Sequence, residues 1–97
     1  MTSPVETKLI QVAIVEDDDE IRANLGHRIG SNPAFRLLRS YGDAESALAD
    51  LPRHKPDVVL MDINLPGMDG IECVRELKAK MPKAQFVMLT VYEDSNR

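Results

Sequence analysis

The sequence predicts an α/β fold: a doubly wound parallel sheet with helices on both of its faces. Short apolar runs alternate along the chain with amphipathic stretches, in the order β-α-β-α-β-α-β, and no repeat or low-complexity tract interrupts them. Hydrophobic residues make up 43% of the 97 residues, which is enough for one packed core in a single small domain. Crossovers between parallel strands are right-handed, so the helices should cover the two faces of the sheet.

Four apolar runs are the predicted strands. The first and third are almost continuously apolar, which is typical of strands that are buried on both faces, and the fourth has an apolar centre at residues 86–89. The second alternates apolar and polar side chains, and this pattern predicts a strand at an edge of the sheet with one face in water. The predicted strands are residues 9–15, 35–41, 57–62 and 84–90.

Three amphipathic segments between the strands are the predicted helices. Each carries apolar residues at helical spacing, which predicts a stripe that packs on the sheet. Residues 30–33 are expected to end the first helix, and Pro52 is expected to stop the second. The third should turn Ile71, Val74 and Leu77 inward. The predicted helices are residues 19–29, 44–51 and 70–80.

Polar side chains stand at the ends of three predicted strands. Glu16 and Asp17 follow the first strand, Asp62 and then Asn64 follow the third, and Thr90 ends the fourth. Ligands of parallel α/β sheets bind beyond the carboxyl ends of the strands, so these residues should meet at one rim. Clustered carboxylates repel one another, and bound Mg²⁺, which prefers oxygen ligands, would offset that repulsion.

We therefore expect a Mg²⁺ site. Asp17 and Asp62 would supply carboxylates, Glu16 would hold a metal-bound water, and a backbone carbonyl near Asn64 would complete the protein ligands. Asp62 would then be the nucleophile that forms an aspartyl phosphate. The Thr90 hydroxyl would donate a hydrogen bond to a phosphoryl oxygen.

Each of these positions also has a purely structural explanation. The acidic run 16–19 could simply cap a helix, because carboxylates favour its positive amino terminus. Asp62 could merely end a strand, and Thr90 could be an ordinary strand residue. The placement of all of them at three strand ends is what favours a common site.

The chain resembles response-regulator receiver domains of the CheY-like superfamily, from residue 9 to its last residue. Residues 12–18, 56–71 and 87–90 carry the resemblance. The middle segment is the most specific, because Pro66 and Gly70 stand four and eight residues after Asp62, at the family's spacing.

The resemblance implies a flavodoxin-like receiver fold with strand order 2-1-3-4 for the strands present here. It implies that a sensor histidine kinase phosphorylates Asp62 and that Thr90 is the switch hydroxyl. It also implies that Glu16, Asp17, Asp62 and the Asn64 carbonyl handle Mg²⁺ directly or through water.

The sequence departs from the family pattern after Thr90. The family's fifth strand with its phosphate-binding Lys, its aromatic switch residue and its last helices are not in the sequence. We therefore expect residues 1–97 to be a single receiver domain that is incomplete at its carboxyl end. A bare fourth strand predicts a homodimer, a strand- or domain-swapped oligomer, or a piece of a longer chain. Val91 and Tyr92 are predicted to crowd the attacking water and lengthen the phosphoryl lifetime.

Residues 90–97 look like those of regulators that carry a LuxR-type helix-turn-helix output domain. We therefore expect a transcriptional regulator whose DNA-binding domain lies outside this chain. With 16 acidic and 12 basic residues the chain has a formal charge of −4, which argues against direct DNA binding. A single cysteine, Cys73, and the absence of a signal peptide or long apolar run predict a cytoplasmic protein without a membrane partner.

Two other functional classes compete with this one. An aspartate-nucleophile phosphatase of the haloacid-dehalogenase type needs a second Asp two residues after the first as general acid. Asn64 stands there and cannot donate a proton in that role, so we expect the chain not to be an enzyme. The other class is an interaction module that takes no phosphate, and the intact acidic residues argue against it.

Overall fold

The computed structural model describes residues 8–89, in which four strands alternate with three α-helices. A short 3-10 helix, Leu51–Arg53, follows the second helix directly. The strands are β1 (Ile10–Val15), β2 (Phe35–Tyr41), β3 (Val58–Asp62) and β4 (Gln85–Leu89). The helices are α1 (Asp19–Ser31), α2 (Ala44–Asp50) and α3 (Gly70–Lys80).

The strands form one parallel sheet in the order β2-β1-β3-β4, which confirms the predicted fold and strand order. The strand predicted at an edge, β2, is at one edge. Its alternation breaks at Leu38 for a structural reason: the register with β1 shifts there, since Val12 pairs with Leu37 and Ala13 with Arg39. One residue of β2 is thus left over, as in a β-bulge.

The helices lie on the two faces of the sheet. The right-handed crossover from β1 to β2 runs outward, and the one from β2 to β3 runs back across β1, so α1 and α2 lie on opposite faces. Within residues 8–89, a hydrophobic cluster of buried side chains lies on the face of α2 and α3, with Leu51, Met61 and Leu77 among its largest members. Helix α1 packs over β1 and β2, and none of its residues is fully buried.

An aspartate side chain caps the amino terminus of every helix from α1 to α3. Each accepts a hydrogen bond of 2.7 to 2.9 Å from the backbone N–H three residues further on, which satisfies a group that the helix itself leaves unpaired. The capping residues are Asp18, Asp43 and Asp69.

Two predicted helix ends are confirmed, and one predicted orientation is wrong. Helix α1 runs two residues beyond the predicted Ile29, to Ser31, and its C-cap is Asn32, inside the stretch predicted to end it. Helix α2 ends at Asp50 with Leu51 as its C-cap, directly before Pro52, which lies in the first turn of the 3-10 helix, where no N–H donor is needed from it. Ile71 does not face inward: it is 55% exposed, because Gly70, Cys73 and Leu77 are the residues of α3 that face the core. Within residues 8–89, no helix has the length and apolar character to cross a membrane.

Candidate metal centre

The acidic positions singled out in the sequence meet where the parallel strands have their carboxyl ends. We call this side of the sheet the carboxyl edge. Val15 of β1 lies opposite Met61 of β3, so the next residues, Glu16 and Asp62, follow side by side. The Glu16 N–H donates a 3.0 Å hydrogen bond to the carbonyl of Tyr41 at the end of β2, which keeps Glu16 in line with the sheet. Strand register therefore brings the two carboxylates together.

Glu16, Asp17 and Asp62 form what we call the acidic cluster. One oxygen from each lies within 4.8 Å of the others. Glu16 and Asp62 are both only 2% exposed, whereas Asp17 is exposed to solvent. Three carboxylates this close, two of them buried, are unfavourable as anions unless a proton or a cation compensates them. Carboxylate oxygens are also the ligands that Mg²⁺ and Ca²⁺ prefer.

Each buried carboxylate of the acidic cluster accepts a hydrogen bond from the backbone N–H two residues further along. The Asp18 N–H donates to Glu16 Oε2 and the Asn64 N–H donates to Asp62 Oδ1, both at 3.0 Å. The second oxygen of Glu16, Oε1, is buried and has no hydrogen-bond partner within residues 8–89. Buried polar atoms are nearly always paired, so this oxygen points to a partner that residues 8–89 do not supply.

Burial raises the pKa of Glu16 from 4.5 to about 7. The hydrogen bond from the Asp18 N–H opposes this by stabilising the carboxylate, while the charges of Asp62 and Asp17 raise the pKa further. A proton therefore competes with any cation for the acidic cluster near neutral pH, because metal binding requires deprotonated ligands.

Arg22 of α1 braces the loop that carries the acidic cluster, and sequence reasoning missed it. Its guanidinium donates a 2.8 Å hydrogen bond to the carbonyl of Glu16 and forms a 2.6 Å ion pair with Asp19. The spacing of Asp19 and Arg22, three residues apart on a helix, was the available signal for the pair. Nothing in the sequence pointed to the bond with the Glu16 carbonyl, which depends on how the loop folds.

Gly70 lets the amino terminus of α3 approach the acidic cluster from the other side. Its N–H donates a 3.1 Å hydrogen bond to the carbonyl of Ile63. A Cβ at this position would overlap the backbone carbonyl of Asp62 and lie 3.0 Å from the Ile63 Cα. The glycine found eight residues after Asp62 is therefore required by backbone contact, independently of its match to a motif.

The structure brings together most, but not all, of the residues predicted for the site. Glu16, Asp17 and Asp62 cluster, and Asn64 bonds to Asp62 through its backbone N–H. Asp18 also serves as the helix cap that was the structural alternative for the acidic run. Thr90 lies outside the described residues, as do Val91 and Tyr92.

The fold and the sequence assign the chain to a family. The sequence model of the response regulator receiver domain family matches residues 12–97, and the chain belongs to this family. Receiver domains of this family act as phosphoryl acceptors in response regulators, and the related proteins include transcriptional regulators.

Curated relatives match between 76% and 99% of the chain. It is 29% identical over 96 residues to the transcriptional regulatory protein DegU of Brevibacillus brevis, spanning 99% of this chain and 41% of the relative. It is 32% identical to the DNA-binding transcriptional activator DevR/DosR of Mycobacterium tuberculosis, over 87% of this chain and 39% of the relative. A protein-glutamate methylesterase/protein-glutamine glutaminase of Syntrophus aciditrophicus is 39% identical over 76% of this chain and 21% of that enzyme. The chain thus spans less than half the length of these relatives.

Solved receiver structures share the fold. The response regulator domain of Thermotoga maritima CheB superposes with a TM-score of 0.81 at 29% identity, covering 91% of this chain and 66% of that one. A LuxR-family two-component response regulator from Aurantimonas also gives 0.81, at 26% identity, over 89% of this chain and 61% of that one.

Proposed function

We propose that Asp62 is the phosphoryl-accepting residue of this receiver domain and that the reaction requires Mg²⁺. The observation that carries the proposal is the acidic cluster itself, in which two carboxylates are 2% exposed and one buried oxygen has no partner within residues 8–89. Such an arrangement is stable as a set of anions only with a cation beside it.

The residues present fit Mg²⁺. Asp17 and Asp62 would supply carboxylate ligands, Glu16 would hold a metal-bound water through Oε1, and the Asn64 carbonyl would add a neutral oxygen. When bound, Mg²⁺ would supply positive charge that offsets the negative charge of a phosphoryl group during transfer.

Asp62 is suited to be the nucleophile for two structural reasons. It ends the central strand β3: Asp62 pairs with Leu89 of β4, and the preceding residue, Met61, pairs with Val15 of β1. The Asn64 N–H donates a hydrogen bond to Oδ1, which fixes the orientation of the carboxylate and leaves Oδ2 as the oxygen that would attack. Nucleophilic attack by a carboxylate needs this combination of fixed orientation and one available oxygen.

Thr90 is proposed as the switch hydroxyl. Thr90 is the residue after Leu89 in the sequence, and Leu89 of β4 pairs with Asp62 of β3, the proposed acceptor. A hydroxyl there would donate a hydrogen bond to a phosphoryl oxygen on Asp62. The effect proposed for Val91 and Tyr92 on the phosphoryl lifetime stays a prediction.

The proposed partners follow from the family and from the named relatives. The phosphoryl donor would be the phosphohistidine of a sensor histidine kinase, and DNA would be bound only by an output domain outside this chain. Relatives include both transcriptional regulators and methylesterases. We propose a transcriptional output and no enzymatic activity for residues 1–97, since Asn64 stands where a haloacid-dehalogenase-type phosphatase needs its general acid.

Self-association of the chain through β4 stays a prediction, which analytical sedimentation would test.

The test is phosphorylation by a small-molecule phosphodonor with Mg²⁺, followed by intact-mass spectrometry. We expect the mass to increase by one phosphate in the wild type and in the control Glu20→Gln, which removes an exposed carboxylate outside the acidic cluster. Asp62→Asn should show no increase. Equal labelling of Asp62→Asn would disprove the assignment, and an unlabelled wild type would favour the interaction module. Continuous release of phosphate over many turnovers would favour the phosphatase.

A further inference from the structure

We propose that the amino edge of the sheet, opposite the acidic cluster, docks an acidic peptide segment of a partner protein that also carries apolar side chains. Two clefts of about 460 Å³ and 480 Å³ open at this edge, and Asp57 lines both. We call the pair the amino-edge groove. It is bordered by residues 8–11 at the start of β1, by 55–57 before β3 and by 80–84 before β4.

Basic side chains dominate the amino-edge groove. It is lined by five of the chain's 12 lysines and arginines but by only one of its 16 acidic residues. That residue, Asp57, accepts a 2.8 Å hydrogen bond from the Gln11 N–H. Its carboxylate is therefore stabilised by the chain's own backbone and needs no ligand bound in the groove. The five cations are exposed, and none forms an ion pair within residues 8–89. They are Lys8, Arg36, Lys55, Lys80 and Lys83.

The groove is apolar between its cations. Leu9 and Ile10 are 44% and 40% exposed, and they are two of the large hydrophobic residues that remain exposed in the described chain. Met81 and Ala84 line the cleft of about 460 Å³ from the core side. Three prolines complete the lining with rigid rings that have no N–H to donate: Pro52, Pro56 and Pro82.

This combination favours an acidic peptide over a nucleic acid. A phosphate backbone is met by cations and polar donors, and it would leave Leu9 and Ile10 without a partner. Protein interfaces instead pair an apolar centre with a charged rim. A peptide with acidic residues beside leucine, isoleucine or phenylalanine matches both components of the groove.

The backbone of Lys55 supports a binding role for the groove. Its φ is 53°, and among residues 8–89 it is the one non-glycine residue with a positive φ. This left-handed conformation is unfavourable by about 1 kcal/mol for a lysine, and residues held in it concentrate at binding sites. The conformation places a cation on the groove rim directly before Pro56.

Charge separation would also orient the partner. The acidic cluster and the acidic residues that follow it, 18–20, lie at the opposite edge of the sheet. An acidic segment is therefore repelled from the carboxyl edge and attracted to the amino edge, which guides encounter at low salt. The two edges can then be engaged at the same time by different partners.

The experiment is selection of a random twelve-residue peptide library displayed on phage against the immobilised full chain. We expect selected peptides to be enriched in Asp and Glu beside Leu, Ile or Phe. A synthetic copy of the most enriched peptide should bind Lys80→Glu about five- to tenfold more weakly than wild type, as expected for reversing one rim charge. Lys78→Glu is the matched control: it makes the same charge change in the last turn of α3, outside the groove, and should weaken binding less than about twofold.

Three outcomes would overturn the proposal. The first is a selection without an acidic-apolar consensus, and the second is equal binding of the selected peptide by Lys80→Glu and Lys78→Glu. The third is tight binding of a 20-base-pair DNA duplex that only Lys80→Glu loses, which would assign the groove to nucleic acid. Circular dichroism of both variants would exclude unfolding as the cause of lost binding, and Lys83→Gln gives a second, milder removal of a groove cation.

Discussion

The two edges of the sheet carry opposite charges and differ in how those charges meet the solvent. At the carboxyl edge, Glu16 and Asp62 are buried beside each other, and one oxygen of Glu16 has no partner within residues 8–89. At the amino edge, Lys80 and Lys83 stand in water. A buried charge destabilises the fold until a proton or ligand compensates it, whereas an exposed charge has little effect on stability. We therefore expect substitutions at the carboxyl edge to have the larger effects on stability. Substitutions at the amino edge should weaken peptide binding and change stability little.

The largest expected effect is a steric change at the carboxyl edge. Gly70→Ala should reduce the free energy of unfolding by about 3 kcal/mol, because the new methyl group overlaps the backbone carbonyl of Asp62. Gly30→Ala is the matched control: a Cβ added at Gly30 would meet no atom within 4 Å, and alanine in a helix should stabilise by about 0.5 to 1 kcal/mol. Urea denaturation measures both. Equal effects of the two substitutions would contradict the close approach of α3 to β3.

Removal of one buried charge at the carboxyl edge should stabilise the metal-free chain. Glu16→Gln should raise the free energy of unfolding at pH 8 by about 2 kcal/mol, since the raised pKa of Glu16 means that ionised Glu16 is destabilising there. Glu20→Gln changes an exposed carboxylate in the same stretch and should have no measurable effect. Destabilisation by Glu16→Gln would show that the carboxylate is compensated by the chain itself.

The same residue sets the pH dependence of the metal-free chain. The folded chain binds more protons than the unfolded chain between pH 4.5 and about 7, because the Glu16 pKa is raised on folding. Stability from this group therefore falls as the pH rises through that window and levels off above it. Thermal melting from pH 5 to 8 in EDTA should show the fall in wild type and a flatter profile in Glu16→Gln. A wild-type profile that rises through this window would contradict the assignment.

Mg²⁺ should partly reverse this destabilisation. At a concentration about five times the dissociation constant, a ligand specific for the folded state stabilises it by about 1 kcal/mol. Wild type should melt at higher temperature with Mg²⁺ than with EDTA at pH 8, and Asp62→Asn should respond far less. An identical shift in both proteins would place the ion elsewhere.

The smallest effect is expected at the amino edge. Lys83→Gln should change the free energy of unfolding by less than about 0.5 kcal/mol, because Lys83 is exposed and forms no ion pair within residues 8–89, and such a side chain contributes little to stability. Comparison of the urea denaturation midpoints of Lys83→Gln and Glu16→Gln shows how much a side chain at each edge contributes to stability. A loss as large as about 2 kcal/mol, the size expected for a buried group, would mean that Lys83 is engaged in the fold and is not available to a partner.

Much of the architecture could be read from local patterns. The alternation in residues 35–41 indicated an edge strand, the apolar run before Asp62 indicated a central one, and both occur. Those patterns depend on neighbouring residues, which is why they are readable. The inward orientation predicted for Ile71 was wrong, since the apolar stripe could not show that α3 turns its glycine, Gly70, toward β3.

The sequence by itself determined the class of fold and the identity of the acidic residues, because strand periodicity and residues at strand ends are local features of the chain. Only the tertiary structure decided how those residues behave. Burial of Glu16, its raised pKa, and the brace from Arg22 come from packing of β1, β3 and α1. The amino-edge groove likewise joins residues from 8 to 84, which only the pairing of the strands into one sheet brings together. Burial and electrostatic environment depend on contacts between distant parts of the chain, and periodicity does not record them.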